Sequence, residues 1–124
     1  MSATKHRVIV SLAANCDQEK NLTEARQRLS QVLTDSLYTE ELWTEPYGGG
    51  GGSMYLNQLV YASTTMEVEQ LMDTLKQTEV DLGRNADERR QGIVRIDLDL
   101  MAYDDVHYHL RDWERPYILA LLKD

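Results

Sequence analysis

Four stretches of the chain have the alternation or composition of β-strands, in which successive side chains point to opposite faces of a sheet. The first stretch places Val8, Val10 and Leu12 on one face. Between these stretches, apolar residues recur every three or four positions, which places them along one side of a helix. The pattern predicts strands at residues 7–12, 38–44, 55–62 and 94–101, and helices at residues 22–33, 68–82 and 117–122.

These elements follow one another in the order β-α-β-β-α-β, with a short terminal helix, which is the order of the ferredoxin-like fold. In that fold an antiparallel sheet carries two helices on one face, so the other face is open. At 124 residues the chain is long enough for one hydrophobic core and too short for two. We therefore expect a single α+β domain over residues 1–124, with its ligand site on the open face.

Two aspartates lie one residue apart in the last predicted strand, where residues 95–100 are RIDLDL. Alternation puts the apolar residues of this run on the helix-covered face and puts Arg95, Asp97 and Asp99 together on the open face. Like charges two residues apart, roughly 7 Å along a strand, repel each other unless a cation lies between them. An oxygen-ligated Mg²⁺ ion is one such cation. The alternative is a solvated surface on which Arg95 balances the carboxylates.

The third predicted strand adds aromatic and amide groups to the same open face. Its odd-numbered positions include Tyr55, Asn57 and Tyr61, a set unlike the apolar surface that packs under a helix. Two loops border this face. One is a glycine run at residues 48–52, which has the composition of a mobile linker, native or engineered, and the other is an arginine-bearing stretch at residues 84–92. The face therefore has the composition of a ligand site.

Charge and composition narrow the classes of partner. The formal net charge of −8 opposes extended contact with nucleic-acid phosphates, which bind to basic surfaces. No apolar run approaches the ~20 residues that span a membrane. The single cysteine, Cys16, has no internal partner for a disulfide, which is typical of a reducing compartment. We expect a cytoplasmic monomer or weak dimer that binds neither nucleic acid nor membranes.

Several short motifs occur in order along almost the whole chain. They are SLAAN at residues 11–15, TEPYG at 44–48, YLN at 55–57, Glu79 followed by Gly83 and Arg84, DLD at 97–99, and RPY at 115–117. In this order, and within a βαββαβ frame, they resemble the 6-hydroxymethyl-7,8-dihydropterin pyrophosphokinase family. That family transfers pyrophosphate from ATP to a pterin alcohol in folate biosynthesis. The resemblance implies the same activity for this chain, as a short and divergent member.

The resemblance also implies a role for each motif. Asp97 and Asp99 would bind two Mg²⁺ ions that bridge the phosphates of ATP. A mobile loop would close over the triphosphate with Arg84, Arg89 and Arg90. Further ATP contacts are implied for Glu79 and Arg115, and pterin contacts for Thr44, Pro46, Tyr55, Asn57 and Tyr117.

Two departures from the family pattern leave the activity open. The family carries an arginine three residues before the first metal-binding aspartate, where this chain has Val94, and a Pro-His segment before the last phosphate-contacting arginine is absent. Arg95, on the metal face, either takes over the phosphate contact or only pairs with Asp97. The sequence is also compatible with a non-catalytic pterin- or nucleotide-binding relative, and with a ferredoxin-like module that self-associates through its sheet edge.

Overall fold

The structure is a computed structural model that describes residues 4–46 and 52–122. The glycine run expected to be mobile falls, apart from Gly52, outside the described residues. The strands are β1 (His6–Ala14), β2 (Thr34–Tyr38), β3 (Leu42–Thr44), β4 (Tyr55–Thr64), β5 (Asp97–Tyr103) and β6 (Val106–His107). The helices are α1 (Gln18–Leu29), α2 (Val68–Asp81), α3 (Ala86–Arg90) and α4 (Pro116–Leu122), with a 3-10 turn at Asp112–Glu114.

The strands form one six-stranded sheet in the order β2-β4-β1-β5-β6, and β3 also pairs with β4. Every pairing is antiparallel. β2 and β3 pair with opposite ends of β4, so they form two halves of one edge of the sheet. The predicted α+β fold with an antiparallel sheet is confirmed. The exact βαββαβ order is not confirmed, because the chain adds further short strands and helices to it.

The main hydrophobic core lies between the sheet and the two long helices. Even-numbered residues of β1 and β4 point into it, together with residues spaced three or four apart on α1 and α2. Burying one such leucine or valine stabilises the fold by roughly 1.5–3 kcal/mol. The buried members include Val8, Val10, Leu12, Leu22, Ala25, Leu29, Leu56, Val60, Leu71, Leu75, Ile96, Leu98 and Leu100.

The opposite face of the sheet is only partly open, because helix α4 packs on it. A second, smaller core forms there from Leu59, Met101, Ile118 and Leu121. The sequence predicts the helix but not its position, since a seven-residue apolar segment has too few turns to show which side is buried. A ligand site on this face must therefore lie beside α4.

Several predicted elements differ from the structure. The single strand expected at residues 38–44 is instead two strands, β2 and β3, with residues 39–41 between them. The stretch at residues 84–92, expected to be a loop, contains α3, which Asn85 caps by accepting a hydrogen bond from the Glu88 amide at 2.9 Å. Five residues are too few for periodicity to reveal such a helix. α1 ends at Leu29 rather than at residue 33, and β5 begins at Asp97 rather than at residue 94. Within residues 4–46 and 52–122, no helix has the length and apolarity to cross a membrane.

Candidate active site

The two aspartates project from β5 beside the central strand of the sheet. On β1, Ala13 pairs with Asp97 on one side and with Asn57 on the other, and Ser11 pairs with Asp99. Residues that pair directly across neighbouring strands point to the same face. A row of Asn57, Ala13 and Asp97 therefore crosses the odd-numbered face. The small side chain of Ala13 leaves space above the sheet between the amide and the carboxylate.

A cleft of about 460 Å³ opens above this row. Such a volume lies within the range of pockets that enclose small organic ligands. The segment that follows β3 and the beginning of α4 both contribute to its lining. The lining residues are Thr44, Pro46, Tyr55, Asn57, Asp97, Arg115 and Tyr117, all singled out by the sequence, together with Ala13, Glu45 and Pro116.

Asn57 is held in one orientation at the floor of the cleft. Only 3% of its surface is exposed. Its amide nitrogen donates to Thr44 Oγ1 at 2.9 Å and to the carbonyl oxygen of Leu42 at 3.0 Å, which ties β4 to β3. An amide that is fixed in this way presents a defined edge to a ring that carries hydrogen-bond donors and acceptors.

Two tyrosine rings and one guanidinium border the same cleft. Tyr55 lies at the start of β4, and Tyr117 lies in the first turn of α4. Burial raises the pKa of Tyr117, although the charge of Arg115 opposes the shift, so its phenol is neutral at physiological pH. The Nε atom of Arg115 lies 2.9 Å from Asp112 Oδ1. The cleft thus combines aromatic surfaces with a positive charge at its α4 side.

Helix α2 fixes the backbone between the two aspartates. The carboxylate of Glu79 is fully buried and accepts a hydrogen bond from the Leu98 amide at 2.6 Å. Lys76 donates to the Leu98 carbonyl oxygen and to Glu79, both at 3.2 Å. The backbone N–H and C=O groups of Leu98 are therefore paired, although among the described residues no strand lies beside Leu98 on the side of β5 away from β1. Asp97 and Asp99 consequently stand on a backbone that helix α2 holds in place.

Asp99 lies between several charged groups. Its Oδ1 atom is 3.3 Å from Lys76 Nζ and 3.8 Å from His109 Nε2. Burial raises the pKa of Asp99 and the negative charge of Asp97 raises it further, while Lys76 and His109 act in the opposite direction. The net upward shift means that the ionised carboxylate has less positive charge around it than it needs. A cation bound beside the two carboxylates would oppose this upward shift.

A second cavity, of about 350 Å³, begins on the other side of Asp99. Helix α2, strand β5 and the segment that follows β6 form its walls, which are largely apolar. They consist of Met72, Leu75, Lys76, Leu98, Asp99, Leu100, Tyr108 and His109. Because the first cleft contacts Asp97 and the second cavity contacts Asp99, the aspartate pair lies where two cavities approach each other.

Two residues beside Asp99 have no role in the sequence-based prediction. The first is Lys76, which lies three residues before Glu79 on α2 and therefore shares its helix face. That spacing is the signal that the sequence offers for Lys76. The second is His109, which lies outside the helices and strands and has a φ of 54°. No periodic pattern assigns such a residue a position, and only the fold brings it next to Asp99.

Three of the arginines predicted to contact phosphate, Arg84, Arg90 and Arg115, each pair with a carboxylate of this chain. Arg84 pairs with the buried carboxylate of Glu79, so both residues of that motif contact each other. Arg90 pairs with Asp87 inside α3, and Arg89 lies partly exposed on the same short helix. Contact of these residues with a nucleotide stays a prediction.

Arg95 does not pair with Asp97, and that expectation is wrong. Burial still alternates from Val94 to Asp97, but β5 begins only at Asp97 and the backbone bends at Arg95. The guanidinium instead forms two hydrogen bonds of 2.7 Å with the carboxylate of Glu88 and lies 3.7 Å from Asp17. Helix α3, which the sequence pattern did not reveal, supplies the carboxylate for this bidentate pair.

The donor atoms of the aspartate pair fit the metal that the sequence suggests. Among residues 4–46 and 52–122, no group of three or more His, Cys, Asp or Glu side chains is placed to hold a metal ion. Mg²⁺ does not require such a group, because it keeps several waters and is held by one or two carboxylates together with substrate phosphates. The hard oxygens of Asp97 and Asp99, adjacent on one face of β5, therefore suit Mg²⁺ that arrives with a phosphate ligand.

Comparisons with known proteins agree with the motifs. The chain is 37% identical over 127 residues to the mitochondrial folate synthesis bifunctional protein of Pisum sativum, with 94% of this chain and 24% of that protein covered. It is 27% identical over 133 residues to a folate synthesis bifunctional protein of Arabidopsis thaliana, with 99% and 28% covered. The chain thus spans about a quarter of the length of these relatives. Because the family model for 7,8-dihydro-6-hydroxymethylpterin-pyrophosphokinase matches residues 9–124, the chain belongs to that family.

Proposed function

We propose that this protein transfers a pyrophosphoryl group from ATP to 6-hydroxymethyl-7,8-dihydropterin, a step of folate biosynthesis. The observation that carries the proposal is the position of Asp97 and Asp99 between cavities of about 460 Å³ and 350 Å³. A reaction between two bound molecules requires their reacting groups to meet in a fixed orientation. A cavity at each aspartate provides this arrangement, with the carboxylates at the point of contact.

The cleft at Asp97 is the proposed pterin site. Tyr55 and Tyr117 border it and supply flat surfaces on which a bicyclic ring stacks. Asn57 lies at its floor, and because both N–H bonds of its amide are donated to Thr44 and Leu42, the amide oxygen is the atom proposed to accept from the ligand. Thr44 and Pro46 form the adjoining wall. These features favour binding of a planar ligand that forms hydrogen bonds along one edge.

The cavity at Asp99 is the proposed nucleotide site. Its apolar side chains, among them Met72 and Leu100, suit an aromatic base, while the phosphates would extend toward the aspartates. Arg115 lies on one side of that path with its guanidinium, and His109 lies on the other side with its imidazole. Glu79 is proposed to act through Arg84, since the buried carboxylate is already paired with that guanidinium.

The metal ion and the arginine side chains would both stabilise charge during the reaction. Mg²⁺ bound by Asp97 and Asp99 would neutralise phosphate charge. The hydroxymethyl oxygen of the pterin forms a bond to the β-phosphorus and its proton is lost to solvent. The bond from that phosphorus to the oxygen of the α-phosphate breaks, which releases AMP. Arg84, Arg89 and Arg90 are proposed to add positive charge over the departing group, as bidentate guanidinium groups do.

Product analysis tests this proposal. The protein is incubated with ATP, Mg²⁺ and the pterin alcohol, and the nucleotides and pterins are separated by anion exchange. Pyrophosphoryl transfer yields AMP and pterin diphosphate in equal amounts, whereas ADP would indicate transfer of a single phosphoryl group and would contradict the proposal.

The same experiment separates the alternative functions. Calorimetric binding of both ligands without AMP formation would indicate a non-catalytic relative, which the engagement of Arg95 by Glu88 and the presence of Val94 favour. Binding of neither ligand, with a rise in sedimentation coefficient at high protein concentration, would indicate the self-association module.

Asn57→Ala should weaken pterin binding by about 1–3 kcal/mol, the usual effect of leaving a buried polar partner unpaired. Calorimetry with the pterin alcohol measures this loss, and the affinity for MgATP should not change. Thr44→Val is the matched variant, because it removes a partner of the amide while leaving the amide in place. An equal loss in both variants would mean that Asn57 acts only by holding β3.

Arg95→Ala and Glu88→Ala should lower the transfer rate by the same factor. The two residues form one bidentate pair, so either change releases helix α3 and the arginines that it carries. Single-turnover AMP formation measures the rate. A tens-fold greater loss in Arg95→Ala than in Glu88→Ala would instead show that Arg95 contacts phosphate itself.

We place this activity in a reducing compartment such as the cytoplasm, because the lone Cys16 has no partner for an internal disulfide. The proposed ligands are small molecules, and a monomer or weak dimer suffices, since the residues assigned to both cavities come from one chain.

A further inference from the structure

Lys76 lies where three oxygen atoms converge. Its ammonium nitrogen is 3.2 Å from Glu79 Oε2, 3.2 Å from the Leu98 carbonyl oxygen and 3.3 Å from Asp99 Oδ1. An ammonium group has three N–H bonds, so all of them are used by these contacts. About half of the side chain, 54%, is exposed, which leaves the ammonium a path away from the sheet.

A cation on Asp99 and the ammonium of Lys76 repel each other. Lys76 already supplies positive charge at 3.3 Å from the carboxylate. A divalent ion that binds the same carboxylate must approach this charge, and like charges a few ångströms apart near a protein surface repel each other even after solvent and salt screening. The negative charge of a triphosphate would offset that repulsion.

We propose that Lys76 is an internal counter-ion of Asp99 that opposes the binding of free divalent cations and makes metal loading depend on the phosphates of the nucleotide. The proposal rests on the proposed function, because it takes Asp99 to be a metal ligand. Lys76 is able to move away from Asp99 and still keep two hydrogen bonds, since Glu79 and the Leu98 carbonyl remain as its acceptors.

Free Mn²⁺ is the probe, measured by electron paramagnetic resonance with the full chain and no nucleotide. Lys76→Met keeps the length of the aliphatic side chain and removes its charge, and we expect it to bind Mn²⁺ about tenfold more tightly than the wild type. Lys76→Arg keeps the charge and should match the wild type. With α,β-methylene-ATP present, the difference between Lys76→Met and the wild type should shrink.

Lys5→Met is the matched control, because Lys5 also lies 3.3 Å from an aspartate, Asp35, which is not among the residues lining the two cavities of the site. An equal gain in Lys5→Met, or no gain in Lys76→Met, would overturn the proposal. Lys76→Gln repeats the test if circular dichroism shows that Lys76→Met does not fold.

Asp99→Asn in the Lys76→Met background should abolish the gain, and a persistent gain would also overturn the proposal. These measurements require no turnover. A protein that forms no AMP but shows the Mn²⁺ gain would therefore contradict the proposed function and leave the role of Lys76 intact.

Discussion

Asp97→Asn and Asp99→Asn are each expected to lower pyrophosphoryl transfer by about a hundredfold to a thousandfold. The amide keeps the size of the side chain but removes the charge that binds a hard cation and, with it, the phosphates. Pterin affinity should remain, because Asn57 and the two tyrosines are untouched. Single-turnover AMP formation at saturating ligands measures the loss.

Thermal unfolding shows whether a variant has lost only its activity or also its folded structure. Burial and the charge of Asp97 raise the pKa of Asp99, so the ionised carboxylate destabilises the folded state at pH values above that raised pKa. Asp99→Asn should therefore raise the melting temperature at neutral pH. A lower melting temperature than that of the wild type would mean that the inactivity reflects damage to the structure.

Asp104→Asn provides a control for which the expected change in melting temperature has the opposite sign. A hydrogen bond with His6 lowers the pKa of Asp104 and outweighs the effect of desolvation, so the ionised form stabilises the folded state above the usual aspartate pKa. This variant should melt at a lower temperature and should transfer pyrophosphate at the wild-type rate, because Asp104 is not among the residues lining either cavity of the site.

Glu79→Ala is expected to destabilise the fold by about 3 kcal/mol, the lower end of the range for breaking a buried ion pair. The buried carboxylate accepts hydrogen bonds from the Leu98 amide, the Lys76 ammonium and the Arg84 guanidinium. Its removal leaves these donors unpaired, although Lys76 and Arg84 are partly exposed and recover some hydration. Such a loss is a large share of the about 5–15 kcal/mol that stabilises a typical domain. Urea unfolding measures it.

Asp73→Ala on the same helix is the matched control. Asp73 is exposed, so its replacement should change the free energy of unfolding by no more than about 0.5 kcal/mol. Glu79→Gln should fall between the two variants, because the amide oxygen still accepts from Leu98 but pairs with no cation. Equal stability of Glu79→Ala and Asp73→Ala would show that the buried carboxylate does not hold β5 in place.

Strand alternation correctly predicts that Asp97, Asp99 and Asn57 share one face of the sheet. Each lies inside a strand whose ladder enforces a period of two. The alternation contains no information on register, however, and the alignment of Ala13 between Asn57 and Asp97 depends on how three strands pair. The strand sequences therefore predict which side chains line the cleft, but only the fold shows where on the sheet the cleft lies.

The residues that sequence reasoning misplaced or missed depend on contacts between distant segments. Arg95 pairs with Glu88 because a short helix, invisible to periodicity, faces it. His109 reaches Asp99 through a left-handed backbone position after β6. Glu79 is a polar residue on a helix, and nothing in its local sequence shows that the edge of β5 buries it.

The claim that pterin and nucleotide meet at Asp97 and Asp99 is tested most directly by paramagnetic relaxation with Mn²⁺ in place of Mg²⁺. The sample contains the pterin alcohol labelled with ¹³C at its hydroxymethyl carbon, together with α,β-methylene-ATP. The proposed site predicts strong relaxation of both that carbon and the β-phosphorus in the wild type. In the double variant Asp97→Asn/Asp99→Asn the relaxation of the carbon should be lost, whereas that of the β-phosphorus should persist, because the nucleotide phosphates chelate Mn²⁺ themselves. Relaxation of the phosphorus alone in the wild type, with the pterin bound and its hydroxymethyl carbon unaffected, would contradict it.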